Sequence, residues 1–295
     1  MSRSSVETPK RTLSIVVGSN GAPASVEGCL AALEPQVDGA EVLVCEPAES
    51  PPELRGRFPF ARFLTREGAL VPELWRDGID ASRGDVVALT VSPMRPAPDW
   101  VASLRDRLER ADVVAGAVEP GERLRATDWA EYFCRYSHDV LPFDGHDCVE
   151  SLPGDNAAYR RESLERTREL YRDGFVEPFV NRRLADDGGT LRHEPGVVVY
   201  QGRSAGFGAF VRQRLEHGRD FGRRRGESAG AVANVAGAAA SPLVPFVLTA
   251  RLLRRLVPQA RFRRPLLAAL PLILVFNGAW AAGEATGRLA ALRER

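Results

Sequence analysis

Residues 68–90 have the sequence GALVPELWRDGIDASRGDVVALT, in which a helix pattern leads directly into a strand pattern. Pro72 favours the first turn of a helix over residues 72–82, and the Arg-Gly pair that follows favours its end. Residues 85–90 form an apolar run of the kind found in strands buried on both faces. The stretch therefore predicts a helix followed by a central strand of a sheet.

The segments on both sides repeat this alternation of strands and helices. Such spacing predicts βαβ units and an α/β fold, with a Rossmann-like, mostly parallel sheet and flanking helices. Ligands bind beyond the carboxyl ends of such strands, here at residues 18–21, Glu46 and residues 91–94; ordinary surface loops are the alternative. The other predicted strands cover residues 13–17, 41–45, 62–64, 113–118 and 196–200, and other predicted helices cover residues 25–33, 100–108 and 210–225.

The composition is typical of a folded globular protein. Of the 295 residues, 44% are hydrophobic and 27% charged, which suits one domain of about 200 residues plus an appendage. The formal net charge of +1 gives no electrostatic basis for binding nucleic acid, so we expect no nucleic-acid partner. Residues 1–12 are polar, and the apolar run 13–17 is too short for a signal peptide. We expect the N-terminal domain to lie in the cytoplasm.

Two uncharged apolar stretches lie near the C-terminus, at residues 229–250 and 265–283, and six arginines lie between them. The second stretch is just long enough to cross a bilayer core of about 30 Å. By the positive-inside rule the arginine-rich link stays cytoplasmic, which argues against a hairpin of two spanning helices. We expect an interfacial or re-entrant pair, or one span near the end; burial against the N-terminal domain is the alternative.

Seven segments of the chain resemble, in order and spacing, family-two glycosyltransferases of the GT-A fold. The resemblance implies a GT-A nucleotide-diphospho-sugar transferase domain over residues 13–225, after a polar tail at 1–12. It also implies an apolar, membrane-associated helical region over residues 226–295. The segments are LSIVVGSNG (13–21), EVLVCEP (41–47), residues 68–90, RPAPDW (95–100), LPGDNAAYRR (152–161), DGFVEPFVNRRLADDGG (173–189) and VVVYQGR (197–203).

The resemblance implies a nucleotide-binding set at the strand ends. The usual acid after the second strand is Asp, and Glu46 stands there. Arg76 and Asp77 match an Arg-Asn pair that lies near the nucleotide in the family, although a solvated helix face would carry the same residues. The implied nucleotide-binding residues are Gly18, Ser19, Asn20, Glu46, Arg76, Asp77 and Ser92.

The resemblance also implies a damaged metal site. Relatives hold a divalent ion through an Asp-x-Asp element after the fourth strand and a late His, but Val91, Ser92, Pro93 and Gln201 occupy those positions here. Neutral side chains are poor ligands for hard cations, so we assign no metal ligand and no cofactor, and Mg²⁺ or Mn²⁺ stays open. Three options follow: the enzyme uses no tightly bound metal, an arginine replaces the metal, or catalysis has been lost. The candidate arginines are Arg95, Arg212 and Arg214.

An acid and a set of orienting groups complete the implied site. Glu177 falls where the family's catalytic base stands at a helix start, although a carboxylate there is also a common cap. Asp155 and Asn156 match a loop beside the sugar, although both residue types also form turns. With Gln201 and Arg214 they make the implied donor- and acceptor-binding set.

These matches predict a function at a membrane. We expect an inverting glycosyltransferase, for hexosyl or related glycosyl transfer, that moves a sugar from a nucleotide-diphosphate donor to a lipid-linked or cell-envelope acceptor at the cytoplasmic face. Its partners would be the nucleotide-diphosphate sugar and a membrane lipid or lipid-linked acceptor. The alternative is a catalytically inactive relative that binds nucleotide or glycan, or serves as a scaffold, in a membrane glycan assembly.

Overall fold

The computed structural model describes residues 11–19, 21–122, 124–147, 152–202 and 206–293. Asn20, one of the predicted nucleotide-binding residues, lies outside this set. Contacts group the chain into two compact units. The first comprises residues 1–119 and 139–201, and the second comprises residues 120–138 and 202–295.

The first unit is built on one mixed sheet, in the order β3-β2-β1-β4-β8-β6-β9-β5, with β7 paired to β9. Every residue of β1 and β4 is buried, as their apolar sequences predict. The described strands are β1 Leu13–Gly18, β2 Ala40–Glu46, β3 Ala61–Thr65, β4 Val86–Val91, β5 Met94–Pro96, β6 Val113–Pro120, β7 His146–Asp147, β8 Asn156–Arg160 and β9 Leu191–Gln201.

The prediction of a mostly parallel sheet is wrong for half of it. The strands β3, β2, β1 and β4 are parallel to one another. β8 runs antiparallel to β4 and to β6, and β9 runs antiparallel to β5 and to β7. Parallel neighbours need a crossover connection, and the alternation of strands and helices on which the prediction rested ends after residue 118. The sheet therefore has a parallel N-terminal half and an antiparallel C-terminal half.

Helix α3 illustrates how the helices pack on the parallel half. Its apolar face, with Leu74, Trp75, Gly78 and Ile79, is buried. A Cβ at Gly78 would lie 2.2 Å from the Cγ1 of Val16, so glycine allows the helix to approach β1 closely. The described helices are α1 Pro23–Leu33, α2 Pro52–Arg57, α3 Val71–Ala81, α4 Trp100–Arg107, α5 Ala126–Tyr136, α6 Arg161–Arg166, α7 Glu177–Asp186, α8 Phe207–Ser228, α9 Ala231–Ala239, α10 Val244–Leu256 and α11 Arg263–Arg293.

The second unit is helical and contains α5 together with α8 to α11. Glycines bring α8 and α11 into close contact: a Cβ at Gly218 or Gly222 would lie 2.2 Å from a backbone carbonyl of α11. Because of this packing, contacts place all of α8 with the C-terminal helices, whereas the predicted domain boundary at residues 225 and 226 falls inside that helix. The division of the chain into domains 13–225 and 226–295 stays a prediction.

Among the described residues, one helical segment is long and apolar enough to cross a membrane, at residues 260–293. The helices at 231–239 and 241–256 would form a second candidate if they were one span, but they are bent by 43°. Length and composition alone do not separate a span from the buried helix of a soluble protein. Membrane attachment and a cytoplasmic location of the N-terminal domain therefore stay predictions.

Candidate active site at the carboxyl end of the parallel strands

The strand ends that the sequence singled out meet at one edge of the sheet. Gly18 at the end of β1 pairs in register with Val91 at the end of β4, and Thr90 lies opposite Asn156 at the start of β8. The amide of Ser92 donates to the carbonyl oxygen of Gly18 over 3.0 Å. The segments that follow β1 and β4 and the segment that precedes β8 are thus held side by side, where α/β sheets bind ligands.

A buried tryptophan supports this edge from the α3 side. The indole Nε1 of Trp75 donates to the carbonyl oxygen of Thr90 over 2.9 Å, and a Cβ at Gly18 would lie only 3.0 Å from that nitrogen. The ring also makes an edge contact with Phe175, with centroids 6.4 Å apart, and the amide of Phe175 donates to the carbonyl of Pro72 over 2.7 Å. Trp75 thereby anchors both the strand ends and the segment that leads into α7.

Glu177, the predicted catalytic base, is the first residue of α7 and is partly buried. A Cβ at Gly154 would lie 2.8 Å from the Cδ of Glu177, so the carboxyl group packs directly on the residue before Asp155. Burial and the negative charge of Glu177 together raise the pKa of Tyr159, whose hydroxyl donates to the Oδ1 of Asn181 over 3.0 Å. Glu177 and the Gly154-Asp155 loop, predicted separately, are therefore brought together.

Asn156 is fully buried, and its amide is saturated by internal hydrogen bonds. Its Oδ1 accepts from the indole of Trp100 over 2.7 Å, and its Nδ2 donates to the carbonyls of Ala117 (2.9 Å) and Val197 (3.0 Å). A buried amide with all these partners stabilises the loop that carries Asp155. The structure gives no support to the prediction that Asn156 contacts the sugar.

Glu46 is also fully buried and fully engaged. It accepts hydrogen bonds from the amide of Ser50 (3.1 Å), the hydroxyl of Ser50 (2.5 Å) and the hydroxyl of Thr65 (3.1 Å), and it pairs with Arg55. Ser19 lies at the same edge, where its amide donates to the carbonyl of Cys45 over 2.7 Å. Glu46 therefore stabilises the loop after β2, and its role in nucleotide binding stays a prediction.

Arg76 and Asp77 are accounted for by contacts within the unit. Arg76 donates to the carbonyl of Arg172 over 2.8 Å and pairs with Asp77 over 2.7 Å, and Asp77 also lies 3.4 Å from Arg66. These contacts lie within the first unit, and neither nucleotide binding nor the alternative of a solvated helix face is tested by them. A cavity of about 250 Å³ lies beside them, lined by Arg76, Asp80, Arg168, Tyr171 and Arg172.

Arg95 is the candidate cation that the fold places beside Ser92. Its Nη1 donates to the carbonyls of Ser92 (3.1 Å), Met94 (3.1 Å) and Ser25 (3.3 Å). The guanidinium packs on Gly28, where a Cβ would lie 2.2 Å from the Nη2. Burial lowers the pKa of Arg95, but a guanidinium remains charged at neutral pH. The fold thus places a positive charge beside Ser92, in the segment at which the resemblance implies metal ligands.

Neutral residues occupy the positions at which the resemblance implies metal ligands. No three His, Cys, Asp or Glu side chains within the described ranges come together in a way that could hold a metal ion. Val91 is the last residue of β4, and Ser92 and Pro93 follow it. Gln201 is in register with Met94 and is buried, and its Oε1 lacks a hydrogen-bond partner among the described atoms. Neutral side chains at residues 91–93 and 201 are poor ligands for Mg²⁺ or Mn²⁺, and the use of a metal by this site stays an open question.

Arg214 belongs to the second unit, on α8. Its guanidinium lies 5.7 Å from the ring centroid of Trp280, a cation–π contact. Burial lowers the pKa of Arg214 to about 10, against the opposing effect of Cys134. Arg212, the third candidate arginine, is exposed on the same helix.

Sequence analysis missed the contribution of Trp75 to the site, and it predicted the loop that contains Gly154 without the contact between Gly154 and Glu177. Trp75 is marked only by its place on the apolar face of α3, a signal that any core residue would give. Gly154 stands out only in the structure, because the nearest side chain to it comes from Glu177 on a distant element.

Comparison with known structures finds the same architecture in an enzyme. The mannosyltransferase PcManGT from Pyrobaculum calidifontis, solved in complex with GDP-Man and Mn²⁺, superposes with a TM-score of 0.58 over 94% of this chain and 88% of that one. The fold is shared. At 18% identity the likeness concerns the fold alone. No protein-family model and no curated protein matches the sequence.

Proposed function

We propose that this chain is a glycosyltransferase of the inverting GT-A kind. It would move a sugar from a nucleotide-diphosphate donor to a lipid-linked or cell-envelope acceptor at the cytoplasmic face of the membrane. The observation that carries the proposal is the placement of Glu177 on Gly154, beside the edge where β1, β4 and β8 meet. The fold shared with a mannosyltransferase supports it.

In this proposal Glu177 acts as the general base. An acceptor hydroxyl attacks the anomeric carbon of the donor sugar, the bond from that carbon to the diphosphate oxygen breaks, and the hydroxyl proton passes to the Glu177 carboxylate. Direct displacement inverts the configuration at that carbon. Arg95, beside Ser92, supplies positive charge for the departing diphosphate. Asp155 would orient the sugar, since it lies between Gly154 and β8.

Release of nucleoside diphosphate tests the proposal directly. GDP-mannose is the first donor to try, because the structural neighbour binds it, followed by other nucleotide-diphosphate sugars. Glu177→Gln should reduce turnover by about 10²- to 10⁴-fold, the usual contribution of a general base, with nucleotide binding unchanged. The matched control is Glu162→Gln, which alters an acid in the first turn of α6 and should leave turnover intact. Full activity in Glu177→Gln would refute the assignment.

The second candidate function is that of an inactive relative. It is favoured by one observation, that neutral residues at 91–93 and Gln201 replace the metal ligands expected from the resemblance. Binding of nucleotide sugars, measured by melting shift with and without Mg²⁺ or Mn²⁺, separates the two functions. Turnover supports the enzyme, whereas binding with no product for any donor or metal supports a nucleotide-binding or scaffold protein.

A further inference from the structure

The helical unit exposes several large apolar side chains to solvent within one stretch of sequence. Val232, Val235, Leu243, Phe246 and Val247 are exposed by 84%, 54%, 65%, 65% and 47%, and we call these five residues of α9, α10 and the turn between them the apolar face. The sequence from residue 229 to residue 250 contains no charged side chain. Single exposed apolar residues are ordinary, but five exposed large apolar side chains within one uncharged stretch of sequence indicate an interaction surface.

Positive charge is concentrated directly after the apolar face. Six arginines occupy residues 251–264, and all six are exposed. No aspartate or glutamate occurs between residues 229 and 283. The six are Arg251, Arg254, Arg255, Arg261, Arg263 and Arg264. Apolar side chains bordered by arginines complement a bilayer surface that carries anionic headgroups.

The packing of α11 argues against a simple spanning helix. Its second half carries a buried ion pair, in which Arg288 lies 2.8 Å from Glu284. A Cβ at Gly283 or Gly287 would lie 2.1 Å or 2.0 Å from backbone carbonyls of α8, so the two helices cannot separate without losing this contact. Because α8 is rich in charged residues, the pair together is poorly suited to a hydrocarbon core.

Insertion of both apolar segments is unfavourable for a second reason. Two crossings would carry the six arginines to the side of the membrane opposite the N-terminal domain, against the positive-inside rule if that domain is cytoplasmic.

We infer that the helical unit docks in the plane of an anionic membrane through the apolar face, with the arginines of residues 251–264 on lipid phosphates. The inference rests on the proposed function, because docking of this kind would hold the enzyme on the bilayer that contains a lipid-linked acceptor. In this arrangement the apolar face lies at the boundary between lipid headgroups and acyl chains, and no segment of the chain spans the membrane.

Two measurements on the full chain test the inference. Membranes of expressing cells are washed with alkaline carbonate, which releases surface-bound proteins. The purified chain is then floated with vesicles of phosphatidylcholine, or of equal parts phosphatidylcholine and phosphatidylglycerol, at increasing NaCl. We expect release by carbonate, and binding to anionic vesicles that is at least tenfold stronger than to neutral ones and falls with salt.

Variants distinguish membrane binding through the apolar face from nonspecific adsorption of the protein to vesicles. Phe246→Glu should weaken binding to anionic vesicles at least tenfold, about 1.4 kcal/mol. Leu215→Glu makes the same kind of change at a leucine of α8 that is 44% exposed, and should bind like the unmodified chain. A second variant, Arg251→Glu with Arg254→Glu, should remove the preference for anionic lipid while the protein remains folded.

Three results would overturn the inference. Retention in carbonate-washed membranes would indicate a spanning segment. Failure to float with either kind of vesicle would exclude the membrane as the partner of the apolar face. If, in that case, Phe246→Glu dissociates an oligomer, the partner is a second copy of the chain. Flotation requires no sugar transfer, so an inactive chain that floats refutes the proposed function alone, and an active chain that does not float refutes only the docking.

Discussion

The contact between Gly154 and Glu177 allows the carboxyl group of the proposed catalytic base to be displaced without substituting Glu177 itself. In Gly154→Ala the new Cβ would lie 2.8 Å from the Cδ of Glu177 and 3.1 Å from its Oε1. Carbon atoms in contact prefer about 3.5–4.0 Å, so the carboxyl group must move by roughly 1 Å. A misplacement of about 1 Å can cost about 10²-fold in rate, or about 2.7 kcal/mol of transition-state stabilisation. We therefore expect kcat to fall about 100-fold.

The same substitution should barely affect folding. The backbone of Gly154 lies outside the left-handed region, and the atoms that the methyl group meets belong to a partly exposed, flexible side chain. We expect a loss of less than about 1 kcal/mol in the free energy of unfolding. The assay is kcat for nucleoside diphosphate release together with a thermal melt, with Gly56→Ala as the control because its Cβ meets no atom within 4 Å. Unchanged kcat in a folded Gly154→Ala protein would refute the placement of the base.

Two further predictions concern stability. In Gly222→Ala the Cβ would lie 2.2 Å from a backbone carbonyl of α11, so the free energy of unfolding should fall by about 1–3 kcal/mol. The control is Gly208→Ala, which has open space around its Cβ and should leave the melting temperature unchanged. Equal melting temperatures for the two variants would contradict the helix packing. Although burial opposes it, hydrogen bonds from the hydroxyl of Ser14 (2.6 Å) and the amide of Arg83 (2.9 Å) lower the pKa of Glu41 below 4.5. Stability from these bonds is present above pH 4.5 and lost as the pH falls below it, so Glu41→Gln should flatten the dependence of Tm on pH in that range; an unaltered slope would contradict this.

Local patterns in the sequence predict the elements of the fold well. The strand predicted at 13–17 is observed as Leu13–Gly18, and the helix predicted at 72–82 is observed as Val71–Ala81, because the period of apolar residues is a local property. The antiparallel pairing of β8 with β4 could not be predicted from local sequence patterns. Its pairing of Thr90 with Asn156 joins segments far apart in sequence, and neither segment carries a signal for its partner.

The sequence predicts which residue types lie at the candidate site, but only the structure shows which atoms each polar side chain contacts. Asn156 and Glu46 were predicted to bind ligand because relatives have polar residues there. Both prove to be buried and saturated by partners within the unit. A polar side chain that holds a loop and one that binds a ligand look the same in sequence, since the difference lies in how many hydrogen bonds the fold itself supplies.

Substitution of a polar group at the site should therefore reduce either stability or catalytic rate, depending on whether the group holds a loop or acts on a ligand. Removing the carboxylate of Glu46 would leave the buried Ser50 hydroxyl without its acceptor and Arg55 with Glu49 as its remaining charged partner, a cost to stability that would appear in the melting temperature. Glu177 is only partly buried at the start of its helix, so its loss should appear in kcat with little change in melting. If both variants instead lost stability to the same extent, Glu177 would be another structural acid, and the site would lack a base.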